Sequence, residues 1–316
     1  MATQSWAYNA PSGVYQNHAI SSEIRFASIS MTKFMQFSKP VEGYGSKQGS
    51  NVTITRVSNV AVPSDDSLVE LERIPEDTFS LSTQAISVTE RGRAIPYTSL
   101  TKDLSYFDIE NAIQRKLRDQ LALRLDQLCA TAFKVGQVVG VPDGIASITF
   151  YTNGTAGEAA SVNLNVYHIE QVRDQMYTTY HMMPYEGDDY MCLVSTKGRR
   201  SIIRDPNWEK WKTYADPEAK FKGEIGRIEG VRFIESNNTN ALSGSLGTGS
   251  VLGEAVFFGD DPIAMASVMD PELRAKESAD YGRSKGVAWY GIYGFDQIWK
   301  DSANDGEARV IHISST

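Results

Sequence analysis

LSTQAISVTERGRAIPYTSL (residues 81–100) leads, seven residues later, into DIENAIQRKLRDQLALRLDQL (108–128), and reading these two stretches decides the fold. In the second, Asp108 is a good N-cap. Apolar residues then recur at Ile109, Ile113, Leu117, Leu121, Leu125, Leu128 and Ala132, in steps of three or four. That spacing places them on one stripe of an amphipathic helix. Arg115, Lys116, Arg118, Asp119, Arg124 and Asp126 decorate the other side, and Gly136 supplies the stop. A helix over 108–135 is ~42 Å long at ~1.5 Å per residue, enough for the rigid axis of a domain.

The first stretch closes a β region. GSNVTITRV (49–57) is β-branched and alternates at Val52 and Ile54. TFSLSTQAISVTERGRAIPYT (78–98) alternates at Phe79 and Leu81, then at Ile86 and Val88. Both predict strands. Between them, the window 65–77 holds Asp65, Asp66, Glu70, Glu72, Glu76 and Asp77 against Arg73 alone. The expectation is a long two-stranded ribbon with an acidic tip. An isolated ribbon is marginal in water, so this one should rest on a neighbouring surface. Before it, residues 1 to about 40 carry Trp6, Tyr8, Tyr15, Ile24 and Phe26 without a sustained period. They read as an arm that lies on something else, or as a frayed terminus.

Beyond a Gly-rich link at 136–161 the pattern turns to α/β alternation. Asn165 can cap a helix with Val166, Ile169, Val172 and Met176 on one face, and Pro184 ends that region. YMCLVS (190–195), residues 231–234, EAVFFG (254–259), the aromatic SKGVAWYGIYGFDQIW (284–299) and ARVIHIS (308–314) predict strands. KGRRSIIRDPNW starts a helix or turn, and 236–250 is a loop.

Composition is that of an ordinary globular chain of 316 residues, with 41% hydrophobic residues and one or two domains' worth of core. The net charge of −8 argues against a protein that wraps nucleic acid tightly. Cys129 and Cys192 form no C-x-x-C pair, and read as two buried thiols in a reducing cytosol. The start shows neither a basic region nor an apolar core of a secretory signal, and no run reaches a membrane span. The sequons at Asn51, Asn153 and Asn237 therefore carry little weight.

Catalytic signals are weak. His18, His168, His181 and His312 are scattered, with no metal-ligand spacing, so neither a metal nor a cofactor is expected. His168 reads as a surface or half-buried residue. Gly282-Arg283-Ser284-Lys285-Gly286 fits G-x-S-x-G, with Asp296 or Asp301 and His312 following in hydrolase order. A nucleophile elbow, however, needs a strand before the serine and a helix after it, and here β-like sequence follows. The glycine-rich 244–249 lacks a phosphate-loop lysine, and Gly259-Asp260-Asp261-Pro262 reads as a solvated turn before a cation site. A serine hydrolase on Ser284 and His312, or a monomeric binding module using the 236–250 loop, are the alternatives to a structural role.

Basic residues gather at Lys197, Arg199, Arg200 and Arg204, and 197–227 holds nine Lys/Arg against five Asp/Glu. This suits nucleic-acid binding, a solvated face of mixed pairs, or self-association with the acidic tip.

The order of parts (arm, projecting ribbon, long helix, α/β lobe, closing aromatic strand) resembles the major capsid proteins of tailed bacteriophages, the HK97-like family. The resemblance rests on 81–100 running into the 108–128 helix, and on YMCLVSTKGRRSI followed by GEIGRIEGVRFIESN. It implies an α+β fold with an N-terminal arm (1–44), an extended loop (45–98), a spine helix with the first part of a peripheral domain (99–161), an axial domain (162–265) and the second peripheral part (266–316). It implies a non-enzymatic subunit that self-assembles through hexamers and pentamers into an icosahedral shell around double-stranded DNA. A separate scaffolding protein, a portal and decoration proteins are the implied partners, with no membrane. Assembly in the host cytoplasm and residence in the virion follow. The acidic tip residues Asp65, Asp66, Glu70 and Glu72 are expected to meet a basic surface on a neighbouring copy. Lys197, Arg199 and Arg200, or Arg115, Lys116 and Arg118, are the candidates.

Overall fold

The computed structural model describes residues 28–314, apart from 43, 46, 48, 69, 71, 72, 106, 209–223, 243–253, 278 and 279. The predicted arm residues Trp6 to Phe26, His18 and the 244–249 glycines lie outside the described residues. The fold is α+β, built around two sheets, a ribbon and one long helix.

That helix, α2 (Ile109–Phe133), begins where the sequence predicts. Asp108 accepts hydrogen bonds from the backbone N–H groups of Glu110 and Asn111 at 3.1 and 3.2 Å. Its apolar stripe serves two cores in turn. Leu117 packs with Val287 and Trp289, flanked by Ile113 and Leu121, while Cys129, Ala130 and Phe133 enter a second cluster. Asp126 departs from expectation: it sits on the predicted polar side yet is 0% exposed. The described end of the arm explains this. The 3-10 turn Met35–Phe37 lies over the helix there, and the N–H groups of Lys33 and Phe34 donate to Asp126.

The first sheet has the order β1–β11–β12–β4, from β1 (Ser38–Pro40), β4 (Thr89–Thr98), β11 (Ile263–Ala275) and β12 (Ser284–Asp296). Strand β1 joins β11 in parallel, so the arm enters the sheet as an edge strand. Register slips in β11 between Ser267 and Glu272, a stretch that contains Pro271, which has no N–H for the ladder.

Residues 78–98 divide between two structures. Strand β3 (Leu81–Ser87) pairs with β2 (Asn51–Val57) as the two-stranded ribbon, while β4 pairs with β12. The handover at Val88 runs hard against β12. A Cβ on Gly294 would meet the Ser87 carbonyl at 2.1 Å, so only glycine fits. The short α1 (Ser99–Leu104) follows β4, capped by Thr98.

The larger sheet comprises β5 (Val139–Gly144), β6 (Ser147–Tyr151), β7 (Tyr190–Ser195), β8 (Glu224–Ile228), β9 (Val231–Ser236), β10 (Ala255–Phe258) and β13 (Val310–Ile313). Its order is β6–β5–β13–β10–β7–β9–β8. It draws β5 and β6 from the segment 99–161, β7 to β10 from 162–265, and β13 from 266–316. Every residue of β7, β10 and β13 is buried, because both faces are covered. Alternation sorts the side chains. Tyr190, Cys192 and Val194 face the core made with α3 (Val166–Asp174) and α4 (Thr196–Ile203). Met191 and Leu193 face Phe34, Phe37 and Phe133, from the arm and α2.

Candidate functional site

The catalytic alternative finds no assembled site. Ser284 lies in the four-stranded sheet, where its hydroxyl accepts from Lys276 Nζ at 2.7 Å. His312 lies in the seven-stranded sheet with its Nε2 3.6 Å from Glu254. Asp296 is held by Lys300, and Asp301 lies 4.0 Å from Arg56. Asp260 and Asp261 face Lys39 at 2.6 and 3.9 Å, which ties strand β1 to the turn before β11. Among the described residues, no group of three or more His, Cys, Asp or Glu could hold a metal ion.

His168 is fully buried, deeper than the sequence suggests, and its role is structural. Its Nδ1 accepts the Asn165 N–H at 3.2 Å, and Asn165 Oδ1 accepts the His168 N–H at 3.0 Å. With Nδ1 an acceptor, Nε2 carries the proton and donates to the Gly144 carbonyl at 2.7 Å.

The ribbon has a docked root and an undocked remainder. At the root, Ile86 is buried with Ala264 and Ala266, and Val52 and Ile54 pack against them. Arg56 donates from Nε to Ser82 Oγ at 3.1 Å and from a terminal nitrogen to the Ile298 carbonyl at 2.9 Å. Its guanidinium also stacks over Trp299, 5.3 Å from the ring centroid. The root therefore rests on its own chain. Beyond it, Val60, Val62, Leu68, Ile74 and Phe79 are all exposed, Val62 at 92%.

At the tip, the Ser67 hydroxyl and N–H both donate to Asp65, which holds its carboxyl below the usual range. Asp66, Glu70 and Asp77 are exposed, Arg73 pairs with Glu76, and Glu72 lies outside the described residues. Among the described residues, no basic group other than Arg73 pairs with the tip.

The two predicted basic clusters sit on different layers. Arg115 and Arg118 are exposed on α2, and Lys116 pairs with Asp119 at 3.2 Å. On α4, Arg200 is exposed and Lys197 half-buried, while Arg199 lies 3.4 Å from Glu235 of β9. The structure brings neither cluster to the tip of its own chain.

Another basic feature escaped the sequence reading. Arg91 and Arg93 of β4 face Arg124, Gln120 and Gln127 of α2 across a cleft of about 640 Å³, with Trp289 at its base. Trp289 Nε1 donates to Gln120 Oε1 at 3.0 Å, fixing the floor. The Arg91 guanidinium lies 6.0 Å from the ring centroid of Tyr293, and its Nε is buried without a hydrogen-bond partner among the described residues. Glu90 also lines the cleft. About thirty residues separate Arg93 from Arg124, and only the sheet register and the helix crossing bring them together.

Residues 82–301 match the family model described as phage capsid protein. The chain has no significant sequence match among curated proteins. Its fold is similar to the capsid of Ralstonia phage GP4, at 17% identity over 95% of each chain and a TM-score of 0.66. It is also similar to the capsid asymmetric unit of cyanophage Pam1, at 13% identity over 100% of this chain and 99% of that one, with a TM-score of 0.70. A third likeness is to Mycobacterium phage Che8, at 15% identity over 97% and 98% of the two chains and a TM-score of 0.64.

Proposed function

The chain belongs to the phage capsid protein family, and from that premise we infer that it is the structural subunit of a phage shell. Many copies assemble into the capsid, and the virion capsid is its location. The family match over 82–301 carries this reading, because that span holds the ribbon's second strand, the long helix and most of both sheets.

The finer picture is our proposal. Subunits related by heterologous contacts close into hexamers and pentamers of an icosahedral shell. The ribbon's exposed apolar residues and acidic tip reach over an adjacent copy. Each contact can be weak, since growth of the shell makes later contacts effectively intramolecular. The segments 1–44 and 45–98 serve as arm and extended loop. Residues 162–265 form the axial domain together with the strands that join its sheet, and 99–161 and 266–316 supply the peripheral domain. Scaffolding protein, portal and decoration proteins are its partners in the head. Double-stranded DNA is enclosed without sequence preference, and assembly takes place in the host cytoplasm. The acidic tip meets a basic surface of a neighbour, for which the α2 and α4 clusters are candidates on charge alone.

Negative-stain microscopy of the purified chain tests the reading. Closed particles or capsomer rings are expected, with or without a co-expressed scaffold. A species that remains at 34.9 kDa under every assembly condition would exclude it.

A further inference from the structure

We propose that the cleft framed by Arg91, Arg93 and Arg124 receives the carboxylates of the ribbon tip, Asp65, Asp66 and Glu70, from a second copy of this chain. The proposal rests on the shell reading and deepens it by naming the receiving surface.

Three observations converge on the cleft. Its arginines form no ion pair among the described residues, although opposed guanidinium groups repel unless an anion lies between them. Arg91 stacks on Tyr293 while its Nε lacks a partner, and the fully buried Tyr293 hydroxyl lacks one too. A buried donor without a partner calls for an acceptor. Gln120 is fixed by Trp289, so the polar lining is held in place before anything binds.

The tip supplies the complement. Asp65, Asp66 and Glu70 are exposed and form no ion pair within their own chain. The Ser67 bonds fix Asp65 in its ionised form. Guanidinium groups accept carboxylates in paired hydrogen bonds, which gives register as well as attraction. The other basic clusters are poorer receivers. Lys116 and Arg199 already face Asp119 and Glu235, and neither cluster lines this cleft.

Charge exchange tests the pairing. Arg93 and Arg124 are exposed, so Arg93→Glu with Arg124→Glu should leave the monomer folded, checked by circular dichroism and melting. Asp65→Lys with Glu70→Lys should do the same. Each double variant is expected to reduce the yield of shells at least about tenfold, measured by sedimentation. A chain carrying all four substitutions should recover most of that yield, because every copy then presents a positive tip to a negative cleft. In a second measurement, Asp66→Cys with Arg93→Cys should form a disulfide between copies in oxidised shells.

A wild-type chain that never forms shells would overturn the shell reading and this pairing with it. Wild-type shells with unimpaired assembly of both double variants would overturn the pairing alone. So would failure of the four-fold variant to recover, or the absence of the inter-copy disulfide. Normal shells from Arg93→Glu with Arg124→Glu that retain less DNA would assign the cleft to nucleic acid and overturn it as well.

Discussion

Asp126 Oδ1 accepts the Phe34 backbone N–H at 2.8 Å, joining positions 92 residues apart in the chain. The Lys33 N–H reaches the same oxygen at 2.8 Å, and Asn238 Nδ2 donates to the other at 2.9 Å. One buried carboxylate thus ties the arm, the long helix and the loop after β9. Burial pushes its pKa up, and the hydrogen bonds from Asn238 and the arm work against that shift. Asp126→Ala would orphan both arm N–H groups. We expect a loss of about 2–4 kcal/mol in denaturant unfolding. Hydrogen exchange at Lys33 and Phe34 should accelerate more than exchange in β7. Uniform acceleration would mean that the carboxylate supports the fold at large and does not anchor the arm specifically.

Phe258 joins the same elements through apolar contact. Its ring lies 4.9 Å from Phe37, 5.1 Å from Phe133 and 5.8 Å from Tyr185. These come from the arm, α2 and the loop before β7, and Phe258 and Phe37 meet edge-on, the arrangement that ring quadrupoles favour. Phe258→Ala should cost about 3–5 kcal/mol, since the void would be walled by rigid rings. A loss under about 1 kcal/mol by urea titration would show that the arm collapses into the gap.

How much of this was legible from residues alone depends on the distance over which each feature is built. The α2 stripe, the Asp108 and Asn165 caps and the apolar runs of β7 and β10 are local patterns, and they appear where periodicity places them. Asp126 was misplaced because helical spacing shows only which face a residue occupies, not what covers it. The covering turn comes from about ninety residues upstream. The 78–98 run reads as one strand because alternation cannot register a change of partner. Gly294, two hundred residues away, makes the crossing at Val88 possible. The arginine cleft was invisible for the same reason.

His168 gives the fold a sensitivity to acid. Burial lowers its pKa below the ordinary value of about 6.5, more than its backbone hydrogen bonds raise it. The folded chain therefore holds the ring neutral while the unfolded chain protonates it. The stability that depends on the neutral ring is complete above about pH 6.5. It fades as pH falls from there toward the lowered value. A proton on Nδ1 would confront the Asn165 N–H and break the cap. His168→Gln should lower stability at pH 7.5 and flatten the change in melting temperature between pH 7.5 and 5. An unchanged slope would place the sensitivity elsewhere.

Both cysteines are fully buried, and desolvation pushes their thiols well above the ordinary range. Cys129 Sγ also donates to the Phe34 carbonyl at 3.6 Å. The thiolate is the reactive form, so alkylation of the native chain should be negligible over hours and complete in denaturant. Cys129 should react before Cys192 in the Asp126→Ala variant, because the released arm uncovers it. Mass spectrometry of the modified peptides would read the order, and the reverse order would contradict the arm's covering role.

Arg56 sets the direction in which the ribbon leaves the body. Only 10% of its side chain is exposed, and its planar group simultaneously meets Ser82, the Ile298 carbonyl and the Trp299 face. The Asp301 carboxylate at 4.0 Å adds a weaker attraction. Lysine has neither the fork nor the flat face for these contacts, so Arg56→Lys should behave almost as badly as Arg56→Ala. Ile86, Val52 and Ile54 still bury the root, which limits the loss of global stability to about 1–2 kcal/mol. The consequence should appear in assembly, because a ribbon free to swing at its root presents its tip in many directions. Ordering it on a neighbour then costs conformational entropy that the docked root has already removed. Shell yield should fall several-fold for both variants while the monomer melts within a few degrees of wild type. Protease cleavage between 58 and 80 should quicken. Full assembly by Arg56→Lys would show that charge alone at this position holds the ribbon.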